Sequence, residues 1–321
     1  MTRFEKITFS LNLSGQGLEF GPLNRPIITK SVGNIRYADH ISNEGLKKKY
    51  ENDPNVDVTN LCTVDIDLSR VELSSAIPAA SLDYVVASHV IEHVPDPVSW
   101  FKSIANLLSK EGHLSLVIPD KRFCFDIRRP LTKTEDLLTA AKELRIRPTA
   151  NQVVDYLELL IPVSARLAWA APWFYHFRPR RKFNHEYRQQ LTRRAESEYV
   201  DVHCWAWSPL SFLWTIRTLS LSGNLPFSVS SFHPTEQNDI EFMITLKKGD
   251  PDIGAIDRLI ETERLSLGLP LLSITDEAND GGIFGKYPPG GLRKGLISFT
   301  KNRAQKLWQR LAVLNSFSKI N

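Results

Sequence analysis

In the first 126 residues, short and almost wholly apolar runs recur at 17–20, 35–37, 62–66, 82–87 and 113–118, with helical stretches between them. No other feature constrains the fold as tightly. A strand with one wet face alternates apolar and polar residues, whereas a strand buried on both faces reads as a continuous apolar run. Five such runs separated by helices are the rhythm of a parallel sheet covered on both sides. The clearest helix lies between the fourth and fifth runs. Asp96 is placed to cap it, Pro97 suits its first turn, Phe101, Ile104, Ala105 and Leu108 share a face, and Lys110 and Gly112 are expected to end it. The fold class expected is α/β, a doubly wound and mostly parallel sheet.

From Lys121 the pattern turns helical and basic, with 16 Lys and Arg against 7 Asp and Glu up to Arg194. This reads as a helical insertion after the fifth strand. A helix is expected from Ser208-Pro209 onward, carrying Phe212, Leu213, Ile216 and Leu219, and two strands at 227–232 and 240–247 would close the sheet as a hairpin. Gly/Pro/Asp-rich stretches beyond Lys248 read as linker, and a basic tail follows. The expected division is a core at 12–126, a basic insertion or lid at 127–202, the end of the core at 203–248, and linker plus helical tail at 249–321.

Composition narrows the function. A 42% hydrophobic and 24% charged chain is not a disordered one, and a net charge of +4 does not by itself imply nucleic acid. The first residues lack the apolar run of a secretory signal, so export is not expected. The most apolar window, 159–177, contains Pro162, Arg166, Pro172 and His176, and reads as a buried or interfacial helical pair rather than a membrane span. Cys62, Cys124 and Cys204 are too widely spaced for a disulfide framework or a zinc site, so a reducing cytoplasm and no metal are expected.

A doubly wound sheet binds its ligand beyond the carboxyl ends of its strands. After the first run, Gly21 would let backbone approach a ligand, or is simply a loop glycine. Asp39 follows the second, 18 residues on, near the spacing at which an acid grips a ribose. Asp65 ends the third, where it would accept from an exocyclic amine with Ile66 flanking a purine, or else is a solvated loop acid. Ser88 and His89 follow the fourth run, and Asp120 and Lys121 the fifth.

The string from Leu82 to Pro97, with Ser88-His89-Val90-Ile91-Glu92-His93-Val94-Pro95 at its centre, and the later Leu107-Leu108-Ser109-Lys110-Glu111-Gly112 resemble class I S-adenosylmethionine-dependent methyltransferases. Glu19 and Gly21 match that family's ExGxGxG turn, while Leu23 and Arg25 stand at its later glycines. The segments 20–26, 120–126 and 199–205 are similar to a bacterial subgroup associated with glycan biosynthesis. The resemblance implies a seven-stranded Rossmann-like fold with S-adenosylmethionine as cofactor. It also implies that Glu19 and Gly21 lie at the methionine side, Asp39 at the ribose, Asp65 at the adenine, and Ser88-His89 beside the sulfonium.

Methyl transfer to a hydroxyl is helped by a positioned base, for which His89, His203 and His233 are candidates. The polar loop 233–239, with His233, Glu236 and Asn238, suits hydroxyl recognition together with Asp120 and Lys121. In the insertion, Arg178 to Lys182 among Trp173, Phe174, Tyr175, Phe177 and Phe183 form an RNA-binding surface, a lid over a charged glycan, lipid-linked or phosphorylated substrate, or plain scaffold. The tail helix 292–320 is expected either to lie on an anionic membrane or to dock on the protein. The function expected is O-methylation of a sugar in a glycan or glycan precursor. An RNA methyltransferase and a non-catalytic binding module remain as alternatives, and the sequence leaves the oligomeric state open.

Overall fold

In a computed structural model, which describes residues 1–177, 179 and 181–269, helix α1 (Arg3–Thr8) precedes β1 (Gln16–Phe20) and β2 (Asn34–Asp39). Then come α2 (Asn43–Tyr50), β3 (Ile66–Asp67), α3 (Leu73–Ala76), β4 (Leu82–Ser88), a 3-10 turn at Ile91–His93, α4 (Pro97–Leu107) and β5 (Leu108–Pro119). The insertion contributes α5 (Thr134–Lys142), α6 (Ala150–Leu159), α7 (Ala165–Ala170), α8 (Trp173–His176) and α9 (His185–Ser197). The described chain closes with α10 (Pro209–Leu221), β6 (Phe227–His233), β7 (Glu241–Lys248) and α11 (Ile253–Ser266).

The seven strands form one sheet in the order β3-β2-β1-β4-β5-β7-β6. β1 to β5 are mutually parallel, and β7 runs antiparallel to both β5 and β6. The order reverses between β1 and β4, which is the switch point where such sheets bind ligands. Both faces are covered, and this explains the unbroken apolar runs. In β4, Val85 and Ala87 face a core shared with Phe101, Ile104, Phe212 and Ile216, whereas Tyr84 and Val86 face another with Ile7, Ile28 and Met243. A fully buried Phe101 or Ile104 contributes about 1.5–3 kcal/mol of hydrophobic stabilisation.

Helix α4 starts as expected, with Asp96 accepting from the Ser99 amide at 3.0 Å and Pro97 in the first turn. It stops earlier than its apolar face predicts. Leu108 is extended (φ −70°, ψ 140°) and pairs with Leu82 in β5, so Lys110 and Gly112 belong to the strand. A Cβ on Gly112 would stand 2.9 Å from that of Leu108 and 3.0 Å from the Leu82 carbonyl, so close packing selects the glycine. The third strand is also corrected, from 62–66 to Ile66–Asp67. The Cys62 amide bonds Leu23 O and the Val64 amide bonds Asn43 Oδ1, which takes both out of the ladder.

Helix α10 is capped by Ser208 and buries Phe212, Leu213, Ile216 and Leu219. The segment directly after β7 is a helix instead of linker. Asp252 caps α11, Ile256 and Ile260 enter the core, and Arg217 meets Asp257 at 2.5 Å. The expected linker and basic tail beyond residue 269, with Arg178 and Arg180 of the insertion, lie outside the described residues. The apolar window forms α7 and α8, where Ala168 and Tyr175 pack with Phe123 and Ile127, and Trp169 stacks on Phe123 at 3.9 Å. Among the described residues no helix is long and apolar enough to cross a membrane. Cys62, Cys124 and Cys204 are free thiols.

Candidate active site

The site begins at the turn after β1. Glu19 is buried and spends both oxygens on this chain, accepting from the Ile27 amide at 2.7 Å and the Ile28 amide at 3.0 Å. Burial pushes its carboxyl up to about 7 against the pull of those amides. Glu19 therefore shapes the loop that returns beside β1. Gly21 has φ +60°, which favours glycine, and its amide bonds Ala38 O at 2.9 Å.

At the end of β2 the Asp39 carboxylate is 4% exposed. Its Oδ1 accepts from the His40 amide at 2.7 Å and lies 2.6 Å from His40 Nδ1, while its buried Oδ2 has no hydrogen-bond partner among the described residues. Asp39 is the register partner of Asp67 on β3. Asp67 Oδ1 accepts from the amide and hydroxyl of Ser69 at 3.0 and 2.6 Å, and these bonds hold its carboxyl below the usual range. Asp65, the predicted adenine acid, lies before the strand. Its carboxylate is bound by Lys30 at 2.8 and 2.9 Å and by the Tyr37 amide at 2.9 Å. Ile66 is buried in the sheet core, so neither residue is at the edge. Asp67, which sequence reasoning did not single out, is the carboxylate in register with Asp39; the repeat Asp65-Ile66-Asp67 left that register to be fixed by the pairing with β2.

Beyond β4, His89 adopts φ +54°, a conformation that strains a non-glycine residue. Its Nε2 meets Glu241 Oε2 at 2.8 Å and its Nδ1 lies 3.7 Å from Glu92 Oε1. Burial opposes its protonation, but the Glu241 bond and the Glu92 charge outweigh that and raise its pKa. For Glu241 burial works upward, and His89 and Arg3 outweigh it, bringing the carboxyl down to about 2. Arg3 reaches over from α1 to Glu241 at 2.5 Å and to Ser88 Oγ at 3.1 Å.

Glu92 is completely buried, and neither carboxylate oxygen has a hydrogen-bond partner among the described residues. Its carbonyl accepts from the Cys204 and Trp205 amides at 2.7 and 3.2 Å, which draws His203 to it across 111 residues of chain. His203 Nδ1 lies 2.6 Å from Asp126 Oδ2, and Nε2 points to Glu92 Oε1 at 3.9 Å. The His93 ring meets the His203 ring edge-on, centroids 4.5 Å apart, and its Nδ1 is 2.8 Å from Asp201. Glu92, His93 and His203 each offer a metal-ligating atom, all within 4.8 Å of one another. Cysteine spacing, on which the expectation of no metal rested, carries no information about such a set.

A polar chain links this cluster to Asp39. His40 Nε2 contacts Lys49 at 3.0 Å, and Lys49 contacts Asp201 at 2.5 Å. Burial alone would raise the carboxyls of Asp126 and Asp201. His203 and Arg129 reverse this at Asp126, as the His93 bond and Lys49 do at Asp201, and both carboxyls are lowered. Of these partners, Asp126 and Asp201 sit inside the quoted motifs, whereas Arg3 and Glu241 carried no sequence signal.

The substrate-side candidates separate. Asp120 is fully buried, and its carboxylate is held by Arg122 at 2.7 Å and the Thr235 hydroxyl at 2.7 Å, so it fastens the loop after β5. Lys121 Nζ reaches the Ile127 carbonyl at 3.4 Å. His233 ends β6 with a buried Nε2 that has no hydrogen-bond partner among the described residues, and burial lowers its pKa. Glu236 and Asn238 are exposed on the loop behind it. That loop is tied to α1 by Lys6–Glu236 at 2.6 Å and to α7 by Trp169 Nε1 donating to Asp239 O at 2.9 Å.

No curated protein matches the chain. Among solved structures, it is similar to an S-adenosylmethionine-dependent methyltransferase from Mesorhizobium loti, at 14% identity over 75% of this chain and 95% of that one, with a TM-score of 0.37. It is similar also to one from Methanosarcina mazei (15% identity, 76% and 96% covered, TM-score 0.35) and one from Aquifex aeolicus (9% identity, 77% and 89% covered, TM-score 0.35). A model of the methyltransferase domain family matches residues 14–197, more than half of the chain. With the switch point, the two edge carboxylates and the histidine cluster falling within or packed against that span, the chain belongs to the methyltransferase domain family.

Proposed function

We propose that this chain transfers a methyl group from S-adenosylmethionine to a sugar hydroxyl of a glycan or glycan precursor. The observation that carries the reading is Asp39 Oδ2, a buried carboxylate oxygen at the end of β2 without a donor, at the edge where this fold takes its ligand. A ribose hydroxyl supplies the donor such an oxygen lacks. Gly21 and Asp67 flank that position, which fits a nucleoside.

S-adenosylmethionine, when bound, supplies a methyl carbon already activated on a sulfonium. The chain's own residues have to orient the acceptor, exclude water and accept one proton. His89 is the least buried histidine of the cluster and is assigned the proton. With Nε2–H donating to Glu241, Nδ1 is left to take the hydroxyl proton as the oxygen–carbon bond forms and the carbon–sulfur pair returns to sulfur. Arg3 holds Glu241 in place. The polar loop carrying Glu236 and Asn238, together with the resemblance in 20–26, 120–126 and 199–205, supports a sugar as the acceptor.

The test is incubation with methyl-labelled S-adenosylmethionine and separated saccharide and RNA fractions. Label in saccharide as an acid-stable methyl ether is the expected result. Label in RNA alone would replace the acceptor class with the one to which the cations and aromatics of the insertion are suited.

A further inference from the structure

We propose that Glu92, His93 and His203 bind one divalent first-row transition-metal ion beside the carboxyl end of β4. Three carboxylates near Glu92 each have a cationic side chain: Asp126 has Arg129 at 3.1 Å, Asp201 has Lys49 at 2.5 Å, and Glu241 has Arg3 at 2.5 Å. Glu92 alone has no Lys or Arg partner among the described residues, although it is the most deeply buried of the four. A buried, unbonded carboxylate is strongly unfavourable unless a positive charge compensates it.

The surroundings supply what a cation needs. His203 is hydrogen-bonded by Asp126 so that Nε2 turns toward Glu92, and His93 Nδ1 lies 2.8 Å from the Asp201 carboxylate as an ion pair. Imidazoles supported by outer carboxylates are the usual arrangement of metal-binding histidines. Two imidazole nitrogens and one carboxylate oxygen suit zinc, manganese or ferrous iron better than calcium or magnesium. Bonds of about 2.0–2.2 Å need donor atoms about 3–4 Å apart, so the three atoms, now within 4.8 Å, close in by about 1 Å around the ion. His89, whose Nδ1 lies 3.7 Å from Glu92 Oε1, borders this set. There the ion would bind and acidify the acceptor hydroxyl, easing its proton to His89. That catalytic role rests on the methyl-transfer reading; ion binding does not.

The experiment is calorimetric titration of the chelator-stripped full chain with Zn²⁺ and with Mn²⁺, without methyl donor, so that it stands or falls apart from donor binding. One equivalent is expected to bind. Glu92→Gln should weaken it about a hundredfold or more, and Asp126→Asn about tenfold to a hundredfold, while His185→Gln on the exposed face of α9 leaves it unchanged. The metal-free Glu92→Gln protein should melt at or above the parent, because it lacks a buried carboxylate whose oxygens accept no hydrogen bond among the described residues. In the parent, Zn²⁺ should shift the ring NMR signals of His93 and His203 and leave that of His185 in place, a readout that needs no variant. Absence of saturable binding by either ion, equal binding by parent and Glu92→Gln, or ring shifts confined to other histidines would overturn the proposal.

Discussion

Asp39 and Asp67 are register partners across β2 and β3, so two carboxylates stand side by side at the carboxyl edge of the sheet. Among the described residues the buried Oδ2 of Asp39 has no donor, and the Oδ2 of Asp67 lies 3.2 Å from the Arg70 guanidinium. The pair sits where this fold binds nucleosides.

Asp67→Ala should therefore weaken S-adenosylmethionine binding about tenfold, the equivalent of one hydrogen bond to a charged group. Asp65→Ala removes the Lys30 contact and the bond to the Tyr37 amide, which lie below the edge, and should change the affinity less than about threefold while lowering stability. Calorimetry on the two variants separates them. A larger loss of affinity in Asp65→Ala would restore the assignment read from the sequence.

Stability should fall with rising pH through Glu19. Its carboxyl titrates at about 7 in the folded chain against 4.5 in a free one, so between these values the folded protein holds a proton that the unfolded chain has released. The contribution is fully present below pH 4.5 and lost as pH rises through 7, a change on the order of 3 kcal/mol. Glu19→Gln removes this slope. Chemical denaturation of parent and variant at pH 5 and pH 8 should show the parent losing stability relative to the variant, and a constant difference would contradict the account.

The sheet, the closing hairpin and helices α4 and α10 were legible because each depends on local pattern: apolar runs, Asp96 and Ser208 as caps, and prolines in first turns. The length of β3 and the acid at its end were not. Both depend on the ladder with β2, and Asp65 and Asp67 differ in no local property that a sequence displays. The histidine cluster was half legible. His89 and His93 lie within one quoted string, but His203 reaches Glu92 only because the Cys204 and Trp205 amides bond the Glu92 carbonyl. The bracing of Asp120 was not legible for a complementary reason, since its partners Arg122 and Thr235 come from different strand ends.

Packing at the start of β1 gives a prediction independent of function. A Cβ on Gly17 would fall 2.1 Å from the Tyr84 ring, which is completely buried and cannot step aside. Gly17→Ala should cost about 1–3 kcal/mol or more in denaturant unfolding. Gly17→Ala combined with Tyr84→Phe should remain destabilised, because the clash is with ring carbon as well as hydroxyl. Recovery in the double variant would point to the hydroxyl alone.

The most direct measurement is calorimetric titration of the full chain with S-adenosylmethionine and with S-adenosylhomocysteine, repeated on Asp39→Ala. Saturable binding of both by the parent, with a loss of about tenfold or more in the variant, is the predicted result. Absence of binding by the parent, or equal binding by parent and variant, would contradict the assignment of Asp39 Oδ2 to the ribose and with it the reading of this edge as the donor site.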